Sequence, residues 1–109
     1  MKIHVEIFVA SRILANNRPS FSTDDLLRFI EKEFGDTRSG VRTHATAVCI
    51  ANAHLNHPTG YNYLWRTGHA ELRLFRPGID LPNPDRVRDR TQPRREDVPE
   101  KYQYLLENE

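Results

Sequence analysis

The sequence predicts a small α+β domain, mainly helical, closed by a β-hairpin and followed by an extended C-terminal tail. Three observations predict it. Segments with helical apolar spacing fill residues 2–54, two alternating runs joined by a glycine turn follow at 61–75, and five of the seven prolines lie between 77 and 99. A chain of 109 residues and 12.7 kDa has room for one domain rather than two.

The first segment, residues 2–15, has no Gly or Pro, and Ile3, Ile7, Ala10 and Leu14 follow a helical stripe. Ile3, Val5, Ile7 and Val9 also alternate as a strand would, but the unbroken length favours helix. The run Asn16-Asn17-Arg18-Pro19 ends it. Val5, Phe8, Val9 and Ile13 form a second apolar face, which suits either a dimer surface or the core. Ser22 is placed to cap a second helix over about 23–34, with Asp24 and Asp25 in its positive first turn and Phe21 as a staple. Leu26, Leu27, Ile30 and Phe34 make its stripe, and Gly35 sits where a C-terminal cap needs positive φ.

Residues 36–40 read as a turn, and a third helix is expected from about Val41 to His54, with Val41, Ala45 and Val48 on one face. Val48-Cys49-Ile50-Ala51 is apolar all round and should be deeply buried. After a loop at 56–60 come strands at 61–66 and 70–75, joined by Thr67-Gly68-His69 as a three-residue hairpin connection. The domain is therefore expected over 1–78. Residues 79–109 read as a proline-rich charged tail that builds no core of its own, with Tyr102, Tyr104, Leu105 and Leu106 forming a short terminal helix that docks.

Net charge is +1, but it is unevenly laid out. Residues 1–35 are balanced, residues 36–76 sum to +3, and residues 77–109 to −2. Every cation of the middle segment is arginine, the side chain suited to bidentate contact with phosphate and guanine. The order helix, helix, turn, helix, hairpin is that of a winged helix-turn-helix, whose third helix enters the major groove while the hairpin meets the backbone. Its candidate DNA contacts are Arg38, Ser39, Arg42, Thr43, His44 and Thr46 around the third helix, and Arg66, Thr67, His69 and Arg73 on the hairpin. For His44, a role within the fold competes with a contact.

Four stretches strengthen this expectation: Gly40-Val41-Arg42-Thr43-His44, Ala47–Asn52, Tyr61–Gly68 and Leu72–Gly78. Together with Asp97–Tyr102, they make residues 21–102 resemble a family of small prokaryotic winged-helix domains, mostly uncharacterised, some of them attached to restriction or defence proteins. The resemblance implies a DNA-binding module and brings no substrate and no catalytic residues. Ala70-Glu71 departs from the family pattern, where a Gly or small residue and an aromatic are expected.

The expected partner is double-stranded DNA, bound by a transcriptional regulator or by a target-recognition protein of a defence system, with homodimerisation suited to sequence-specific use. The alternative is a winged helix that contacts another protein, with the tail ordering on that partner. Tyr61, Tyr63 and Trp65 could stack on bases, though in a wing over three helices such aromatics close the core. No cofactor or metal is expected. Cys49, His54 and His57 lack the paired spacing of a zinc site, and Cys49 lies in an apolar stretch. No nuclease carboxylate–lysine pattern, phosphate loop or nucleophile triad is present, so no enzyme is expected. The single cysteine fits a reducing compartment. No run of about 18 apolar residues could span a membrane. Glu6 and Arg12 inside the first apolar stretch argue against a signal peptide. A cytoplasmic, nucleoid-associated protein is the expectation.

Overall fold

A computed structural model describes residues 1–55 and 57–107; Asn56 of the 56–60 loop and the last two tail residues lie outside the described residues. Helix α1 spans Ile3–Ala15 and is the axis of the fold. It is enclosed nearly all round: Val5, Ile7, Phe8, Val9 and Ala10 are buried, and so are Glu6 and Ser11. The helical periodicity therefore held over the strand-like alternation. Because Val5, Phe8 and Val9 are interior, the face considered for dimerisation is not a free surface, and its alternative as core is the correct one.

A short strand β1, Phe21–Ser22, leads into α2, Thr23–Phe34. The Ser22 hydroxyl accepts the Asp25 N–H at 3.0 Å, and Gly35 closes the helix at φ 66°, as the cap residues predict. Leu26 and Ile30 drive into the core. The turn that follows delivers α3, Gly40–Thr43, which widens at once into a π-helical turn, His44–Val48, where the Cys49 N–H reaches His44 O at 2.9 Å.

The third helix was expected to run to His54, and it stops at Val48. Its last carbonyls have other donors: the Arg86 guanidinium takes Ala47 O at 2.7 Å and Val48 O at 2.9 Å. The chain beyond it pairs with a strand instead, since Ala51 N–H donates to Leu64 O at 2.8 Å and Leu64 N–H to Cys49 O at 3.0 Å. Apolar burial of Val48–Ala51 is as expected; the helical shape is not.

Strands β2, Leu64–Gly68, and β3, Glu71–Leu74, form the hairpin, and the antiparallel sheet runs β1-β3-β2. The register jumps between Arg66 and Gly68, so Thr67 is bulged and the tight turn falls at His69-Ala70 rather than at 67–69. Ala70 carries the left-handed conformation of that turn, φ 55°, which a glycine would adopt at less cost. Asn52 seals the outer edge of β2: its amide accepts the Arg66 N–H at 2.9 Å and donates to Arg66 O at 2.8 Å.

The boundary expected at residue 78 does not show in the packing. Short 3-10 turns at Pro84–Arg86, Arg95–Asp97 and Glu100–Leu105 hold the segment against the rest. Arg86, Val98 and Tyr102 are interior residues of the same fold. The tail builds no separate core, but it completes this one. The terminal helix docks as expected, in 3-10 form, with Tyr102 edge-on to Phe34 and its hydroxyl donating to Glu33 at 3.1 Å. The whole is a small compact α+β domain, and among the described residues no helix is long and apolar enough to cross a membrane.

Candidate nucleic-acid interface

The third helix and the hairpin meet at one shallow groove of about 390 Å3, lined by Thr23, Asp24, Arg42, Thr46, Arg66, His69 and Ala70. Arg42 projects from α3, which is held from below by Val41 in the core and from behind by Gly40, whose missing side chain lets Ile3 approach; a Cβ there would sit 3.1 Å from Ile3 Cδ1. Thr46 returns its hydroxyl to Arg42 O at 2.8 Å, which fixes the turn on which both stand. Arg66 reaches across from β2 and donates to Thr46 O, tying hairpin to helix while its guanidinium stays exposed. His69 sits at the hairpin tip.

The remaining predicted contacts are placed elsewhere. Arg38 is committed to carboxylates: its Nε and Nη2 grip Asp36 at 3.0 and 2.6 Å, and Nη2 lies 3.6 Å from Glu6. Those three groups form a small electrostatic system under the start of α3. Burial, and then the neighbouring Asp36, push the Glu6 carboxyl up to about 7, whereas Arg38 holds Asp36 well below the usual carboxylate range. Ser39 is exposed beside Arg38 and makes no capping bond. Thr43 is exposed and faces a small cavity with His57, and the His44 ring bonds Gly40 O at 2.8 Å and lies 6.1 Å from that of His57. Thr67 is on the bulge with its hydroxyl 3.4 Å from Glu71 O. Arg73 forms a two-pronged ion pair with Asp80, at 2.7 and 2.9 Å, and lies over Trp65. Four of the ten predicted residues thus converge on one groove.

Sequence reasoning passed over the residues that hold these parts in place. Arg86 is fully buried and donates to Ala47 O, Val48 O, Ala53 O and His54 O. Asp36 and Asp80 neutralise two of the candidate arginines, and Asn52 braces a third. The Asn83-Pro84-Asp85 cap immediately before Arg86 was the one local signal that its segment is ordered.

Among the described residues no three His, Cys, Asp or Glu side chains gather as a metal-binding group. Cys49 is fully buried, which pushes its thiol upward and makes it a core side chain. Tyr63 is core as well, stacked near Tyr61, while Tyr61 and Trp65 are half-buried. Searches with the chain find no matching family model, no matching curated protein and no matching solved structure.

Proposed function

We propose that this chain is a winged helix-turn-helix module that binds double-stranded DNA, with the face built on Arg42, Thr46, Arg66 and His69 turned to the duplex. The observation that carries the reading is the convergence of Arg42 from the third helix and Arg66 from the hairpin on one groove. Helix and wing are the two elements by which such modules meet the major groove and the backbone. The element order α1-β1-α2-α3-β2-β3 and the sheet order β1-β3-β2 agree with that architecture. Arg42 serves as the base-reading side chain and Arg66 as a phosphate contact, with His69 and Thr46 beside them. Arg38 and Arg73, engaged by Asp36 and Asp80, support the face rather than contact DNA. Cellular use as a regulator, or as target recognition in a defence system, follows from the resemblance over residues 21–102.

A second reading, docking to another protein, is favoured by Ile79, Leu81 and Val87, apolar side chains that are 76%, 83% and 64% exposed on the segment after the hairpin. Fluorescence anisotropy with a mixed-sequence duplex decides between the two. DNA binding predicts micromolar association that weakens steeply with salt, and that Arg66→Ala reduces for every sequence.

A further inference from the structure

A second cleft, sharing no residue with the DNA-facing groove, lies where the start of α1, the 59–61 loop and the 88–97 segment meet. Its volume is about 320 Å3, at the small end of the range for small-molecule sites, roughly 300–1,000 Å3. Two chemistries adjoin in it. One is aromatic: His4 and Tyr61 stack with ring centres 4.0 Å apart and planes within 5°, and the Tyr63 hydroxyl fixes the His4 ring at 2.9 Å. The other is cationic: Lys2, Arg88, Arg90 and Arg94 line the rim against only Asp89 and Asp97. Lys2 is 3.4 Å from Asp97, and Arg90 Nε donates to Gln92 O, which leaves the guanidinium ends of Arg88 and Arg94 without a carboxylate among the described residues. The C-terminal third of the chain is net acidic, so this local excess of cations runs against the composition around it.

The walls are firm. Tyr61 and Arg90 form a β-bridge, Asn62 N–H donates to Arg90 O at 2.8 Å, and Pro93 is buried. A Cβ on Gly60 would fall 2.6 Å from Asp89 Oδ2, so the floor is filled up to that backbone. Burial together with the nearby Lys2 and Arg90 keeps His4 a neutral ring, its pKa pushed down to about 4, and that neutral ring suits stacking.

We propose that this cleft binds a mononucleotide, the base laid against the Tyr61–His4 pair and the phosphate held by Arg88 and Arg94. A flat ring bearing an anion at one edge is the ligand form that uses both halves of the site, since an anion alone leaves the aromatic pair unused and an uncharged ring leaves the arginines unused. The site stands independently of the DNA reading and would give a DNA-binding module a small-molecule input.

The test is titration of the full chain at pH 7 with AMP, adenosine, inorganic phosphate and the single-stranded oligonucleotide (dA)8, followed by calorimetry and by the NMR signals of the His4 and Tyr61 rings. The expected result is AMP binding about tenfold or more tighter than adenosine or phosphate, with ring shifts produced by AMP and not by phosphate. Arg88→Ala and Arg94→Ala, both on exposed side chains, should each weaken AMP several-fold with thermal unfolding unchanged. The Lys2→Ala variant serves as a second check, because it leaves the two arginines in place and should weaken AMP less. No AMP binding at 10 mM, equal affinity for AMP and phosphate, association of (dA)8 without AMP, or AMP binding indifferent to both arginine variants would each overturn the proposal. Failure of duplex binding would leave this result standing, so the two readings are separable.

Discussion

Replacing Arg86 with alanine should come close to unfolding the protein. The guanidinium is wholly enclosed and donates to four carbonyls, at 2.7 Å to Ala53 O, 2.9 Å to Val48 O, 2.7 Å to Ala47 O and 3.3 Å to His54 O. Hydrogen bonds from a charged donor contribute about 1.5–3 kcal/mol each. Ala47 O and Val48 O keep the backbone N–H groups of Ile50 and Tyr61, so the cost of about 1–3 kcal/mol for an acceptor left without a partner falls on Ala53 O and His54 O. Burial opposes the charge and pulls the Arg86 pKa down, which offsets part of that gain. The net loss should be about 4–5 kcal/mol, a large share of the roughly 5–15 kcal/mol available to a domain. Arg86→Lys should lose about half as much, because an ammonium has three donors from one centre and cannot reach carbonyls on both sides of the 47–54 turn. Urea unfolding followed by Trp65 fluorescence and by far-ultraviolet circular dichroism measures both. An Arg86→Ala variant within about 1 kcal/mol of the parent, with an unchanged slope, would show that the buried guanidinium does not hold the 47–54 segment in place.

Glu6 should make stability depend on pH. Its folded pKa, about 7, is raised above the unfolded value of 4.5, so the folded state holds the proton more tightly and loses stability as pH rises from 4.5 to 7. Glu6→Gln should remove that decline and gain about 2 kcal/mol at pH 8 relative to pH 5, read from denaturation midpoints at the two pH values. Gly60→Ala should destabilise by about 2 kcal/mol or more, since its Cβ would lie 2.6 Å from both Asp89 Oδ2 and Leu55 Cδ1; thermal melting checks it. A chain ending at Gly78 should fail to fold, because it lacks Arg86, Val98 and Tyr102 of the interior, and a dispersed amide spectrum from that truncation would contradict this.

What was legible in the sequence was local. Ser22 and Gly35 bracket α2 because a cap acts on backbone groups within four residues of it. The length of α1 was legible because no Gly or Pro interrupts it. The end of the third helix was not, since Val48-Cys49-Ile50-Ala51 would suit a buried helix or a buried strand equally. The choice is made by Leu64, more than a dozen residues away, and by Arg86 farther still. The tail misled for the same reason. Its prolines and charges report how little apolar surface it brings, and nothing in that composition reveals that one arginine is the donor the rest of the fold lacks. Charge layout marked the arginines as a set but not their division: Arg42 and Arg66 line the groove, while Arg38 and Arg73 are held by Asp36 and Asp80. Those carboxylates sit two and seven residues away from the arginines they hold, within loops whose paths the sequence does not dictate.

The most direct test of the proposed function is anisotropy of labelled 20-base-pair duplexes of different sequence at 50 and 200 mM salt, with the parent chain, Arg42→Ala, Arg66→Ala and Arg73→Ala. Micromolar binding that falls steeply between the two salt concentrations is expected. Arg66→Ala should give a shallower salt slope, Arg42→Ala a reduced preference among sequences, and Arg73→Ala, whose charge is already taken by Asp80, an unchanged slope. Binding that ignores salt, or that Arg73→Ala weakens as much as Arg66→Ala does, would contradict the proposed function.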